Sequence, residues 1–499
     1  MSLVEGLRKY LRATQGGEVE LIETHLSWVL LTKGFAYKLK KPVNLGFVDF
    51  SSLASRRQAC EDELRLNRRL AASLYLAVLP VHGSPDAPTL VGTGEAIEWL
   101  VHMKRFAPGA LWSESLAGGR LLPLHLDHFA QRLATFHAEA PRAEPASPWG
   151  RPDDIASPVL VALEHIERLR PGAVDPVLKR WLHAQAAALP PSWAVRRAQG
   201  FVRECHGDLH LANVVTLSDD EVTAFDCLEF DPALRWIDVL SDTAFLVMDL
   251  WAHRRRDFAF RFLNAYLEHS GDYAGLPVLR FYLVYRALVR ALVGLLQGIT
   301  SPAPDYLALA RGVALGSDPR LLATCGLPGS GKSHVSQQLV EAAGAIRMRS
   351  DVERKRLHGL PSLADSRQAQ VDIYSPEATE RTFTRLRTLA GGALLAGWPT
   401  IVDAASLKRA ERARFRAVAS SVHAPFTLLA CDAPPEVLRE RVQRREVRRD
   451  DASEAGVEVL ERLMTAREPL DARERATAIE VDTTRTPAAA DLAADWLSR

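Results

Sequence analysis

The sequence predicts a chain of mixed α/β and α+β class, in which a doubly wound parallel sheet follows a different N-terminal unit. The first observation is a glycine-rich motif at residues 326–333, placed between a short apolar run and a helical pattern. The second is an Asp-x-x-x-x-Asn run at residues 208–213, with Asp226 following it. The third is length, because 499 residues with 47% apolar and 25% charged side chains exceed what one hydrophobic core organises.

Residues 1–106 are predicted to form a small lobe of strands with one long helix. A run rich in β-forming residues, a Thr-Lys-Gly turn and an alternating apolar and basic run together indicate a hairpin, which Pro42 ends. The predicted strands lie at 27–31, 35–40, 91–94 and 98–106, and the predicted helix at about 53–74.

Residues 107–300 are predicted to form a larger, mainly helical lobe, since apolar residues such as Phe129 and Leu133 recur at helical spacing. Residues 301–318, which begin with two prolines in four positions, are predicted to be a linker before the unit at 319–499. The predicted helices of the larger lobe lie at 126–140, 156–169, 176–189, 236–252, 255–269 and 277–297.

The loop at residues 206–213 reads His-Gly-Asp-Leu-His-Leu-Ala-Asn, and Phe-Asp follows at 225–226. This pattern resembles the aminoglycoside phosphotransferase family, a branch of the protein-kinase-like fold, and its spacing matches the protein-kinase catalytic loop. The resemblance implies a bilobal kinase-like domain in which Asp208 accepts the proton of an attacking hydroxyl. It also implies that Asn213 and Asp226 bind Mg²⁺. The alternative is a turn whose Asp and Asn side chains only satisfy the backbone.

Two further acids, Asp238 and Asp242, are expected to brace this loop or to start a helix. No aminoglycoside is specified by any residue pattern. The resemblance covers residues 25–300, but its strongest motifs lie within 206–226.

Such a domain needs a lysine for the α- and β-phosphates and a helix glutamate that holds the lysine. Ala-Tyr-Lys in the second predicted strand favours Lys38, with Lys40 and Lys41 as alternatives. Glu63 is the favoured glutamate and Glu61 is its alternative; exposed surface charge is the bland interpretation of either.

The glycine-rich motif fits G-x-x-x-x-G-K-[ST] in full and follows the predicted strand at 321–324. Its glycines let backbone N–H groups face a polyphosphate, and the following helix adds the positive end of its dipole. Lys332 is placed to reach the β- and γ-phosphates, and Ser333 to ligate Mg²⁺. The predicted nucleotide-binding residues here are Gly326, Gly329, Ser330, Gly331, Lys332 and Ser333.

Strands and helices alternate after this motif, which favours a parallel sheet with ligands at the carboxyl ends of its strands. The order resembles small P-loop kinases such as gluconate kinase, chloramphenicol phosphotransferase, zeta-type toxins and polynucleotide kinase. The predicted strands lie at 344–351, 399–403, 426–432 and 478–482, and the predicted helices at 376–396 and 434–445.

This second resemblance implies roles for acids and arginines of the C-terminal unit. Asp351 would engage the hydroxyl of the acceptor, and the alternative for it is a helix N-cap. Asp403 would assist Mg²⁺ or its water. Arg441 and Arg445, four residues apart on one helix face, would form a lid over the transferring phosphate, with Arg448 as a further candidate. A solvated basic face is the alternative for these arginines.

Together the two resemblances imply a bifunctional kinase that uses ATP and Mg²⁺ and phosphorylates a hydroxyl of a small molecule. One alternative is a single kinase regulated by an ATP-driven switch domain. A second is a C-terminal domain that acts on the 5′ ends of nucleic acids, although aromatic residues are sparse near the arginines at 437–449. A third is a binding module without catalysis, which the complete set of acids argues against.

Composition bears on the compartment and on partners. A net charge of +1 gives no field for nucleic acids or membranes, so we expect neither as a partner. Five scattered cysteines suit a reducing compartment. The first residues contain no apolar core of a signal peptide, and no apolar run approaches 18 residues. We therefore expect a cytoplasmic protein.

Overall fold

The computed structural model of the protein describes residues 2–46, 48–298, 304–448, 451–485 and 488–499. Contacts divide the chain into two compact units. The first comprises Met1–Ala156 and Trp193–Asp249, and the second Ser157–Ser192 and Leu250–Arg499. Residues 299–303, where the predicted linker begins, lie outside the described residues.

Both units contain helices and strands. The helices are α1 (Leu3–Gln15), α2 (Leu53–Ala71), α3 (Trp112–Ala117), α4 (Pro123–Glu139), α5 (Pro152–Leu169), α6 (Pro176–Ala188), α7 (Pro190–Ala198), α8 (Val239–Ala252), α9 (Arg256–Ser270), α10 (Leu276–Leu296), α11 (Tyr306–Leu315), α12 (Lys332–Ala343), α13 (Ser350–Arg356), α14 (Pro376–Leu395), α15 (Arg409–Ser421), α16 (Pro435–Arg448), α17 (Val457–Ala466), α18 (Ala472–Arg475) and α19 (Ala489–Ser498). The strands are β1 (Glu20–Glu23), β2 (Ser27–Leu31), β3 (Phe35–Lys40), β4 (Tyr75–Ser84), β5 (Ala87–Thr89), β6 (Glu98–Lys104), β7 (Val202–Glu204), β8 (Val214–Ser218), β9 (Glu221–Ala224), β10 (Trp236–Asp238), β11 (Leu321–Cys325), β12 (Ile346–Arg349), β13 (Thr400–Asp403), β14 (Phe426–Asp432) and β15 (Ile479–Asp482).

The first unit is organised around an antiparallel sheet of order β1-β2-β3-β6-β4-β5. The predicted hairpin forms from β2 and β3, with Val29 opposite Lys38. Helix α1 packs Leu7 and Leu11 into a buried cluster with Leu39 and Leu100 of the sheet. Helix α2 packs against β4 and β6. Because successive residues of a strand face opposite sides, Lys38 lies on the face of the sheet opposite to Leu39 and α1.

One strand prediction in this lobe is wrong. Residues 91–94 lie outside any strand, whereas the unpredicted β4 pairs with β6 along most of its length. β4 contains Pro80, which lacks an N–H and lies opposite Trp99 of β6. On its other side β4 pairs with β5 only from His82 onward. Pro80 therefore lies at an open edge, where proline is tolerated.

The second unit contains a parallel sheet of order β12-β13-β11-β14-β15, which confirms the predicted doubly wound class. β11 lies at the centre and is buried throughout, because parallel strands are covered by helices on both faces. Its carboxyl end leads into the glycine-rich loop and then into α12. The parallel register brings the ends of β12 and β13 to the same edge, with Arg349 opposite Asp403.

Helix α9 covers the outer edge of this sheet, at strand β12. The side chain of Asn264 accepts from the backbone N–H of Arg347 at 2.6 Å and donates to the carbonyl of Ala345 at 2.8 Å. The hydroxyl of Tyr273 donates to the carbonyl of Arg347 at 3.1 Å. These side chains replace a further strand, since an unpaired edge leaves backbone groups without partners.

The predicted linker contains a helix that the sequence did not indicate. Residues 306–315 form α11, which Asp305 caps by accepting from the backbone N–H groups of Leu307 and Ala308. α11 packs against α10, and the guanidinium of Arg280 donates to the carbonyl of Val313 at 2.8 Å. Within the described ranges, no helix combines the length and apolar character needed to cross a bilayer.

We predict that Asn264→Ala loosens the edge of the parallel sheet. The variant leaves the buried N–H of Arg347 and the carbonyl of Ala345 without their Asn264 partners. Each group left without a partner costs roughly 1–3 kcal/mol. The free energy of unfolding in urea should fall by about that amount, and amide exchange at Arg347 should accelerate. Unchanged exchange at Arg347 would contradict the assigned contact.

Candidate active sites

The buried carboxylate of Asp242 holds the loop that carries Asp208. The backbone N–H groups of His206 and Gly207 donate to its two carboxylate oxygens at 3.0 and 2.8 Å, and His137 Nε2 lies 3.1 Å from Oδ2. Burial opposes the charge of Asp242, but the hydrogen bond and charge interaction of His137 lower the pKa of the carboxyl to about 2. The expectation that Asp242 braces this loop is confirmed.

Asp208 itself lies at the accessible surface of the loop. The side-chain amide of Asn213 donates to the carbonyl of Asp208 at 2.9 Å and to its Oδ2 at 3.1 Å, and His210 Nε2 lies 3.4 Å from the same Oδ2. The side chain of Asp208 is 34% exposed, whereas Asn213 is buried. The loop therefore orients a carboxylate that an incoming molecule can reach.

Asp226 lies two residues after the end of β9 and has a positive φ of 63°, a conformation that costs energy in residues other than glycine. Its backbone N–H donates to the hydroxyl of Tyr75 at 3.2 Å. Its Oδ1 lies 2.5 Å from Nζ of Lys38. The strained turn thus delivers the Asp226 carboxylate to the lysine that the sequence analysis favoured.

Lys38 and Lys40 share Glu63. Lys38 Nζ lies 2.9 Å from Oε1 and Lys40 Nζ lies 2.5 Å from Oε2 of this buried carboxylate. Burial opposes the charge of Glu63, but the two ammonium groups lower its pKa to about 2. Burial likewise opposes the charge of Lys38, and the carboxylates of Asp226 and Glu63 raise its pKa well above the ordinary value.

Exposure distinguishes the two lysines. The side chain of Lys38 is 13% exposed and that of Lys40 only 1%. Lys40 also pairs with Glu229, whose side chain is only 6% exposed and which the sequence analysis missed. Glu229 lies three residues after Asp226, which places it near the site in the sequence. A single glutamate in a loop, however, does not indicate a buried side chain.

The remaining candidates of the small lobe pair with other residues. Lys41 pairs with the exposed Glu23 at 2.6 Å, and Glu61 with Arg57 at 2.8 Å one helical turn away. Neither reaches the cluster of Lys38, Glu63 and Asp226.

The glycine-rich loop has the backbone that the motif requires. Gly331 has φ 80° and forms the N-cap of α12. A Cβ at Gly326 would lie 2.4 Å from the carbonyl oxygen of Cys431 and 2.5 Å from Oγ of Ser330, so only glycine fits. Ser330 Oγ is buried and accepts or donates no hydrogen bond among the described residues.

Lys332 folds back onto its own loop, where Nζ donates to the carbonyl of Leu327 at 2.9 Å. Burial lowers the pKa of this lysine, and the carboxylates of Asp403 and Asp351 oppose the effect. A polyphosphate in the loop would offer Nζ stronger partners than one neutral carbonyl.

A cavity of about 420 Å³ opens beside the glycine-rich loop. The predicted residues of the C-terminal unit that line it are Gly329, Gly331, Lys332, Ser333, Asp351, Asp403, Arg441 and Arg445. Arg448 does not line the cavity and is exposed. Gly326 and Ser330 lie behind the lining and shape the loop.

Asp351 does not end a strand, as the sequence suggested, but lies in the first turn of α13. β12 stops at Arg349, which is also the N-cap of α13. The interpretation of Asp351 as an N-cap is therefore wrong. Its carboxylate is placed in the cavity wall by the start of the helix.

Asp403 is buried at the end of β13, as predicted for a strand-end acid. Its Oδ2 accepts from the hydroxyl of Ser336 at 3.1 Å, and Arg349 Nε lies 4.0 Å from the same oxygen. Ser336, one turn into α12, was missed because a serine in a helix carries no motif.

The two predicted lid arginines bind backbone groups. Arg441 donates to the carbonyl of Gly329 at 3.2 Å and to both oxygens of Thr483, at 2.9 Å for Oγ1 and 2.7 Å for the carbonyl. Arg445 donates to the carbonyl of Ala455 at 2.6 Å. Their guanidinium groups line the cavity while holding the loops around it.

Family models match both parts of the chain. The model described as phosphotransferase enzyme family matches residues 44–282, and the model described as AAA domain matches residues 321–470. The predicted resemblances to a phosphotransferase and to a P-loop kinase, and the predicted fold class, are thereby confirmed.

Relatives extend over nearly the whole chain. Proteins of Mycobacterium tuberculosis and Mycobacterium bovis, both named uncharacterized, are 30% identical over 455 residues, which cover 87% of this chain and 88% of theirs. A GDP complex of aminoglycoside 2′-phosphotransferase-IIIa is 13% identical and covers 63% of this chain and 99% of its own, with a TM-score of 0.37. A gluconokinase from Sinorhizobium meliloti is 21% identical and covers 36% and 90%, with a TM-score of 0.26.

We predict that Asp242→Asn removes part of the acid sensitivity of the protein. The pKa of Asp242 is lowered from 3.8 to about 2, so its stabilisation is present above 3.8 and is lost as pH falls through about 2. Between about pH 5 and about pH 2 the unmodified chain should lose roughly 2 kcal/mol more than the variant. Urea unfolding across this range measures the difference.

Asp219 supplies the control, since its side chain is 90% exposed. Asp219→Asn should keep the acid profile of the unmodified chain. Equal acid profiles for all three proteins would refute the assigned bracing.

Proposed function

Because this chain belongs to the same protein family as the mycobacterial relatives and joins a phosphotransferase domain to a P-loop kinase domain, we propose that it is a bifunctional ATP-dependent phosphotransferase. The N-terminal domain transfers the γ-phosphoryl group of ATP to a hydroxyl of a small molecule. The P-loop domain binds a second ATP and is itself a kinase. The proposal is carried by one observation: each unit has its own lysine and its own pair of acids at an accessible site.

In the first domain, Lys38 binds the α- and β-phosphates while Glu63 holds it in place. Asp208 accepts the proton of the acceptor hydroxyl as its oxygen bonds to the γ-phosphorus, and the bond from that phosphorus to the oxygen of ADP breaks. Asn213 and Asp226 would hold Mg²⁺, which would neutralise charge on the phosphates. Carboxylate and amide oxygens are the donors that this ion prefers, and the exposed Asp226 carboxylate fits the role.

In the second domain, the backbone of the glycine-rich loop and Lys332 bind the phosphates. Ser333 and Asp403 would hold Mg²⁺, and the hydroxyl and carboxylate oxygens fit it. Asp351 orients the acceptor hydroxyl. Arg441 and Arg445 bring positive charge to the wall where the phosphoryl group passes.

The cavity volume of about 420 Å³ supports a small-molecule acceptor in this domain. The five cysteines are all buried and free, which supports a reducing compartment, and we place the reactions in the cytoplasm.

The switch alternative has one observation in its favour. Helix α9 lies inside the phosphotransferase match, yet its contacts group it with the P-loop sheet. Nucleotide binding at Lys332 can then influence a segment of the phosphotransferase domain.

We predict that Asp208→Ala and Lys332→Ala abolish different activities of the full chain. Loss of a general base costs about 10²–10⁴-fold, so Asp208→Ala should remove phosphorylation of the first acceptor and spare turnover that depends on Lys332. The measurement is transfer of labelled γ-phosphate to a panel of small hydroxyl compounds. Asp219→Ala, a change of the same kind at an exposed position, is the control.

The outcome separates the two functions. If Lys332→Ala abolishes both activities equally, the bifunctional proposal loses to the switch. If neither variant changes any transfer, phosphotransferase activity at these sites is refuted.

A further inference from the structure

Glu268, near the end of α9, is held by two arginines of the adjoining strand. Its Oε1 accepts from Nη1 of Arg349 at 2.9 Å, and its Oε2 lies 3.6 Å from Nη2 of Arg347. Burial opposes its charge, but Arg349 and Arg347 lower the pKa of the carboxyl below the ordinary value. Glu268 therefore carries its negative charge at neutral pH.

The side chain of Arg347 connects Glu268 to the start of helix α12. Nη1 of Arg347 donates to the carbonyl of Ser333 at 3.2 Å and lies 3.3 Å from Oγ of Ser336. Ser336 in turn donates to Oδ2 of Asp403 at 3.1 Å. Glu268 is thus connected through two side chains to the acid at the end of β13.

The side chain of Arg349 connects Glu268 to Asp403 directly. Nε of Arg349 lies 4.0 Å from Oδ2 of Asp403, and Nη2 donates to Asp451 at 3.0 Å. Burial opposes the charge of Arg349, but the carboxylates, with Glu268 the strongest, raise the pKa of the guanidinium. Arg349 is therefore a cation shared among Glu268, Asp451 and Asp403 in the wall of the cavity.

Glu268 comes from outside the segment matched as AAA domain. It lies within the phosphotransferase match at 44–282, whereas the AAA match begins at residue 321. Asn264, one turn earlier on α9, fixes the height of the helix against β12 through its two backbone hydrogen bonds. The position of Glu268 is therefore set independently of its charge.

We propose that Glu268 is a positioning residue of the P-loop site, which is incomplete without helix α9. The inference rests on the proposed function of that site. Glu268 holds Arg349 away from Asp403 and so keeps the Asp403 carboxylate available. When Glu268 loses its charge, the attraction of Arg349 shifts to the two remaining carboxylates, Asp451 at 3.0 Å and Asp403 at 4.0 Å. The Asp403 carboxylate is then neutralised more strongly by Arg349 and is less available to Mg²⁺.

The experiment uses the full chain with Asp208→Ala in every protein, so that ATP turnover reports on the P-loop site. Two quantities are measured: ATP turnover and the binding of a fluorescent non-hydrolysable ATP analogue. For each, only the part that Lys332→Ala removes is assigned to the P-loop site. We expect Glu268→Gln to lower kcat about tenfold, the effect typical of a group that orients a metal ligand. We also expect it to raise the Mg²⁺ concentration needed for half-maximal analogue binding.

Two variants define the cause. Glu268→Asp keeps the charge and should restore most of the loss. Glu341→Gln breaks another ion pair of α9, that of Arg261 with Glu341 on α12, and should leave kcat and the Mg²⁺ requirement unchanged. Thermal unfolding of each protein measures the folded fraction.

A purely structural role would lower the folded fraction without changing the Mg²⁺ requirement, and that result would overturn the inference. So would an unchanged kcat in Glu268→Gln while Lys332-dependent turnover persists. If Lys332→Ala removes no turnover or binding at all, the proposed function of the P-loop domain fails, and the inference fails with it.

Discussion

The pairing of buried charges is the constraint on which both units depend. A carboxylate that loses water must gain cations or N–H donors, and a partner removed from such a pair leaves a large penalty. Glu63 gains Lys38 and Lys40, and Asp242 gains two backbone N–H groups and His137. In each case the buried acid holds in place a group at the surface of the site. Because the buried acid must keep its partners, the positions of those groups are fixed.

The pairing of charges also distinguishes the two proposed phosphate sites. In the first, side chains carry the positive charge, and Lys38 lies between two acids before any ligand arrives. In the second, the backbone N–H groups of a glycine-rich loop would bind the phosphates, and Lys332 donates a hydrogen bond to a carbonyl of that loop. A ligand at the first site must compete with Asp226 for the lysine, whereas at the second it displaces only a neutral partner.

Local signals made much of this arrangement predictable. The hairpin, the parallel sheet and the loop at 326–333 follow from residue order over short windows, because turn chemistry and alternation are local properties. Glu229, Ser336 and the covering role of α9 depend on partners far away in the sequence, which no window contains. The strand at Tyr75–Ser84 was hidden by a proline whose tolerance depends on an edge, and an edge exists only once the sheet is assembled.

The covered edge of β12 also bears on how such a protein arises by recombination. If recombination joined the two genes within the segment 301–318, the transferred P-loop unit would lack α9. Its strand β12 would then have an unpaired outer edge, and exposed edges promote aggregation. The transferable module therefore begins upstream of α9, inside the region matched to the other family.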